Sequence, residues 1–239
     1  MRIGVYADSG FGKTSSIGLD PSKNIDGLDP NETYLISMTS KDLPFPGSRG
    51  KYRVTTVDNL KGGNRIIARN AEDVISAMTD LLGSPFKNIV WDDVNYTMQD
   101  WYMENALSKG WDAPKIIGYN MGRIFDLMEQ LHLAGKTVIM LAHPQYINEP
   151  DGRQRVAMKT TGKMVDEYVT PEGKLDIVVL GKSRWDAVTK TNIKEFITDE
   201  TESYAGLKNG GVPLPLKMPN DLGRIVEIAE AFYNGTNLD

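Results

Sequence analysis

The chain has 239 residues, 40% hydrophobic and 25% charged, which is enough for a sizeable core and unlike a disordered or fibrous chain. The absence of cysteine excludes disulfides and Cys-ligated zinc, and two histidines leave little for a His-based metal centre. A formal charge of −5 excludes a generally basic nucleic-acid coat, though not a local basic loop, and no apolar run is long enough to cross a bilayer.

A strand is expected from the first residues, 2–6, running directly into a glycine-rich turn. Short apolar runs recur at 33–38, 89–91, 137–142 and 175–180, as strands buried on both faces of a parallel sheet should read. Residues 52–57 and 65–68, joined through Gly62-Gly63, read as an inserted hairpin within 51–68. Helical spacing places Val74, Ile75, Met78, Leu81 and Leu82 on one face of 71–82. A second stripe runs through Met121, Ile124, Met128 and Leu131. A polar excursion follows at 147–173, and a last helix is expected from Asn220-Asp221, burying Leu222, Ile225, Ala229 and Phe232. Strands alternating with helices predict one α/β domain over 1–239, a mostly parallel sheet with helices on both faces.

The chemistry begins at Ala7-Asp8-Ser9-Gly10-Phe11-Gly12-Lys13-Thr14, the P-loop pattern with Ala in place of its first Gly. Glycine lets the chain curl so that several backbone N–H groups face one anion. Ser9, Gly10, Phe11, Gly12, Lys13, Thr14 and Ser15 are the expected phosphate cradle, with Lys13 on the β- and γ-phosphates of ATP and the Thr14 hydroxyl on Mg2+. A helix after the loop would add its N-terminal dipole. A glycine-rich turn with a chance Gly-Lys-Thr is the bland alternative, and the preceding hydrophobic strand argues against it.

Asn88-Ile89-Val90-Trp91-Asp92-Asp93 is an apolar strand ending in two carboxylates. Mg2+ prefers carboxylate oxygen and retained water, so Asp92 is the expected metal residue and Asp93 the group that polarises attacking water. A third strand ends Leu141-Ala142-His143-Pro144, and strand C-termini in such sheets face the ligand crevice. His143 is therefore a candidate γ-phosphate sensor, while His132, inside a helix, reads as structural.

Together these residues resemble the phage-encoded RecA-like ATPases of the Sak group, single-strand-annealing and recombination proteins. The resemblance extends to Lys41-Asp42-Leu43-Pro44-Phe45, the stretch from Thr161 to Glu167, and Met218-Pro219-Asn220-Asp221-Leu222. It implies a RecA-type core with the His143 strand between the P-loop strand and the Asp92 strand. It also implies a homo-oligomer acting on single-stranded DNA, alongside phage recombination or replication proteins in the host cytoplasm. RecA-like proteins place a mobile DNA-binding loop where this chain has 146–174, which carries Arg153, Arg155, Lys159 and Lys163. Tyr146 and Tyr168 are candidates to stack on bases. A solvated hairpin is the competing reading.

No arginine lies near either motif along the sequence, so a cation is expected from a neighbouring subunit: Lys182, Arg184, Lys208 or Lys163. Surface salt-bridging is the plainer role for any of them. The rival functions are an ATP-dependent assembly switch that ignores DNA and a small-molecule or nucleotide kinase. A GTPase would carry an Asn-Lys-x-Asp guanine reader, and the chain has none.

Overall fold

The computed structural model describes residues 1–161 and 163–236, with all their side chains except those of Trp111, Lys163, Met164 and Tyr168. The strands are β1 (Arg2–Ala7), β2 (Thr33–Ser37), β3 (Val54–Thr55), β4 (Arg65–Ile67), β5 (Asn88–Asp92) and β6 (Thr137–Ala142). They continue with β7 (Pro144–Asn148), β8 (Gln154–Met158), β9 (Ile177–Asp186), β10 (Thr191–Ile197), β11 (Tyr204–Ala205) and β12 (Lys217–Pro219). The helices are α1 (Ser48–Lys51), α2 (Ala71–Leu81), α3 (Val94–Lys109), α4 (Ala113–Leu133), α5 (Lys163–Tyr168) and α6 (Leu222–Asn234).

Nine strands form one sheet in the order β12-β10-β9-β1-β6-β5-β2-β4-β3. The run from β9 to β3 is parallel, and β10 and β12 extend it antiparallel. Because side chains alternate along a strand, β6 sends Val138 and Met140 into one core and Ile139 and Leu141 into another. The first core packs under α2, α3 and α4; the second lies under α6 and the loops carrying Leu28, Leu43 and Phe45. Both faces are thus buried, which is why these strands read as unbroken apolar runs. The strand bearing His143 lies between the P-loop strand and the Asp92 strand, the order of a RecA-like core.

Three local expectations are corrected. Segments 52–57 and 65–68 are no hairpin: β3 and β4 pair in parallel, Val54 opposite Arg65. The 3-10 turns of Val57–Gly62, kinked at Asn59, carry the chain back so that both strands run the same way and form the sheet edge. Residues 147–173 are largely regular: β7 and β8 make an antiparallel hairpin that recruits β11 into a three-stranded sheet, followed by α5. Phe232 on the last turn of α6 stays 44% exposed beside Tyr233, although Leu222, Ile225 and Ala229 are buried as expected.

Candidate functional site

At the end of β1 the chain reverses through Gly10 and Gly12, whose φ angles of 81° and 103° suit glycine and few other residues. Nothing lies within 4 Å of where a Cβ on Gly10 would stand, so the loop opens onto free space. Phe11 anchors the turn by burying its ring against Phe196, with ring centroids 5.7 Å apart. The expected helix after the loop is replaced by one 3-10 turn, Thr14–Ile17, ending at Gly18. A Cβ on Gly18 would lie 2.1 Å from the Phe45 ring, and Pro21 follows, so the segment bends away instead of continuing. An anion held at this loop would therefore have little helix dipole behind it.

Lys13 is 6% exposed and donates to the Ala7 carbonyl at 2.7 Å. Burial lowers its pKa, while the nearby Asp93 and Asp92 pull the other way. The Thr14 hydroxyl donates to the Asp92 carboxylate, 3.0 and 3.2 Å from its two oxygens, which joins motifs 78 residues apart. Asp92 is 4% exposed, and burial, reinforced by Asp93, pushes its carboxyl up to about 7 against the Thr14 hydrogen bond, Lys13 and Arg65. Asp93 takes a left-handed conformation, φ 63° and ψ 45°, at the N-cap of α3. An aspartate tolerates that region better than most residues, and the residue lines the cavity.

His143 follows β6, its N–H donating at 2.6 Å to Asn95, a fully buried residue of α3. The Asn95 amide also donates to the Lys159 carbonyl, so one side chain ties β6 to the end of β8. The His143 ring meets Tyr96 edge-on, and burial followed by the charge of Lys13 lowers its pKa.

Lys13, Thr14, Asp92, Asp93 and His143 line one cavity of about 340 Å3. Mg2+ keeps several waters and takes one or two protein oxygens besides substrate phosphates. The Thr14–Asp92 pair supplies such oxygens, and among the described residues no group of three or more His, Asp or Glu makes an all-protein cage. The donor set fits a shared magnesium ion.

Sequence reading did not assign Arg65, Lys194 or Asn220 to the site. Arg65 reaches the cavity from β4, and Lys194 of β10 lines it while donating to the Gly10 carbonyl at 2.9 Å. Asn220 donates to the Gly12 carbonyl at 3.0 Å, and its own Oδ1 is buried without a partner. A charged residue opening an apolar strand was the local signal for Arg65; Asn220 stood out only as part of a helix start and of the stretch carrying the resemblance, and Lys194 had none.

The remaining candidates lie elsewhere. Arg153 is paired with Asp151 and Glu200 at 2.7 and 2.9 Å, and Arg155 with Glu149 at 2.7 Å. Lys159 is exposed. The side chains of Lys163 and Tyr168 lie outside the described residues. Lys182 donates to the Tyr146 hydroxyl at 2.7 Å and sits 4.4 and 5.1 Å from the ring centres of Tyr146 and Tyr204. Arg184 pairs with Glu195 at 3.1 Å, and Lys208 is bridged through its backbone to Val178. Lys182, Arg184 and Lys208 do not line the cavity of their own chain. His132 lines a separate cavity with Met1 and Asp176, at the other ends of the strands.

Strand order, glycine loop and the Thr14–Asp92 hydrogen bond together define a P-loop core of the RecA-like type. No protein-family model matches the chain, and no curated protein matches it. Among solved structures it is similar to a KaiC-like protein from the hyperthermophilic archaea Pyrococcus horikoshii OT3. The two share 12% sequence identity at a TM-score of 0.46, over 84% of this chain and 78% of the other. Among the described residues no helix is long and apolar enough to cross a membrane.

Proposed function

We propose that this cavity binds ATP with Mg2+ and hydrolyses it, and that the protein works as an ATP-driven switch in a homo-oligomer. The observation that carries the reading is the Thr14–Asp92 hydrogen bond at the mouth of the glycine loop, because phosphate and metal chemistry need those two motifs at one point. Magnesium, when bound, neutralises charge on the β- and γ-phosphate oxygens. Lys13 exchanges its bond to Ala7 for the phosphates, Asp93 orients the attacking water, and the largely neutral His143 hydrogen-bonds the γ-phosphate region.

The resemblance to the Sak group supports a role in phage DNA recombination on single-stranded DNA. The ion pairs that occupy Arg153 and Arg155 favour the switch without DNA, since each cation must leave a carboxylate before it meets a phosphate. Hydrolysis should require Mg2+ and vanish in a folded Lys13→Ala protein; unchanged turnover there ends the reading. Stimulation by single-stranded DNA, lost when Arg153, Arg155 and Lys159 are neutralised together, would restore the recombination role. ADP release that depends on a second small molecule would point to a kinase.

A further inference from the structure

We propose that Arg65 is the cation that reads the γ-phosphate of this site, supplied by the same chain. The inference rests on the nucleotide reading above and adds a residue to it. Along the sequence Arg65 is remote from both motifs. The parallel pairing of β4 against β2, Arg65 opposite Leu35, sets it in the same sheet as them, two strands from β5. From there its long side chain runs towards the C-terminal ends of the strands and lines the cavity that holds Lys13, Thr14, Asp92 and Asp93.

The state of the guanidinium is the argument. Arg65 is 6% exposed, yet no carboxylate among the described residues lies within ion-pair distance of it. Its Nε donates to the Ser37 hydroxyl at 3.1 Å, and its Nη2 to the carbonyls of Lys41 and Thr39 at 2.7 and 3.4 Å. All three acceptors are neutral. The Nη1 donors have no protein acceptor among the described residues. Arginine stays charged, and Nη1 is not among the buried polar atoms that lack a partner, so the cation opens onto the cavity, where water or an anion can meet it. Burial lowers its pKa, and Asp92 and then Asp42 oppose this, which places it within electrostatic range of the carboxylate at the metal position.

A purely structural role accounts for Nε and Nη2, which fasten the strap containing Thr39 and Lys41 over the cavity. It leaves Nη1 and the missing counter-charge unexplained. Lys194, another cation lining the cavity, reaches the glycine loop from β10, on the far side of β1. Arg65 approaches from beyond β5 and β2, on the Asp92 side, where the terminal phosphate would sit. With Nε and Nη2 held by Ser37, Thr39 and Lys41, the guanidinium plane is fixed and Nη1 is the group left to donate to a phosphate oxygen, a fixed direction that a rotating ammonium lacks.

The test compares the affinities of the Mg2+ complexes of ADP and a non-hydrolysable ATP analogue by calorimetry. Arg65→Gln should lower analogue affinity by roughly ten- to a hundredfold while leaving ADP within about twofold, as expected for loss of a charge-assisted hydrogen bond to the third phosphate alone. Arg65→Lys should recover part of the difference. In the wild-type protein, the Arg65 Nε–H resonance, identified by its absence in Arg65→Lys, should move with the analogue and not with ADP; this holds even if Arg65→Gln fails to fold. An unchanged analogue-to-ADP ratio in folded Arg65→Gln, or a resonance indifferent to the third phosphate, overturns the proposal. If Lys13→Ala weakens both nucleotides while Arg65→Gln changes neither, only this inference fails. If the wild type binds neither nucleotide, the reading it rests on fails with it.

Discussion

Asp92→Asn should stabilise the nucleotide-free protein at alkaline pH while removing its response to Mg2+. Burial, with Asp93 adding to it, raises the folded-state pKa of Asp92 from 3.8 to about 7. In the unfolded chain the carboxyl ionises near its ordinary value. Between about pH 4 and pH 7 the folded protein therefore holds a proton that the unfolded chain has released, and stability falls as pH rises through that window. At ~1.4 kcal/mol for each tenfold change in proton affinity, a rise from 3.8 to about 7 gives about 4 kcal/mol as the upper bound on the loss above pH 7. Asparagine carries no charge, and its amide can still meet the Thr14 hydroxyl. Urea unfolding in EDTA should then show the variant ~2–4 kcal/mol more stable than wild type at pH 8, with most of that advantage gone at pH 4. The lowered pKa of Asp176, held down by Arg2 against its burial, changes wild type and variant alike and cancels in the difference. Adding Mg2+ and ATP should stabilise wild type and leave the variant nearly unmoved. A variant less stable than wild type at pH 8, by a margin that does not change on acidification, would show that Asp92 is ionised at no cost in the folded state and refute the reasoning.

Asp221→Ala should cost roughly 2–4 kcal/mol, because one carboxylate caps α6 at Gly223 and Arg224 and also accepts from the backbones of Asp26 and Gly27. Thermal unfolding reads it, and a loss under about half a kcal/mol would mean the four bonds do not act together. Gly12→Ala puts a side chain at φ 103° and 3.3–3.4 Å from Asn220, Lys194 and Ser15. It should destabilise by ~1–3 kcal/mol and abolish nucleotide binding; normal binding would separate the cradle from that backbone conformation. If a neighbour's Lys182, Arg184 or Lys208 completes the site, mixing Lys13→Ala subunits with donor-deficient ones should restore part of the turnover. Constant specific activity at every protein concentration, with no complementation, would leave the site self-contained.

Local patterns carried far in this chain. The 3.6-residue stripe defined α2, Asp221 ahead of Leu222 marked the start of α6, and uninterrupted apolar runs told of strands covered on both faces. The glycine turn and the Asp92 strand were legible because each is written in consecutive residues. The sense of β3 against β4 was not, since a pair of glycines between two strand-like runs is compatible with a hairpin or with a turn that restores direction. Nor was the single 3-10 turn after the loop, which depends on the Phe45 ring packed against Gly18 from 27 residues away. Arg65, Lys194 and Asn220 enter the site through strand neighbours and a helix cap distant in sequence. Composition and spacing determine which residues can form a strand or a phosphate loop. Which strand lies beside which is settled by burial summed over the whole sheet, and that order brought a buried arginine to the cavity wall within electrostatic range of Asp92.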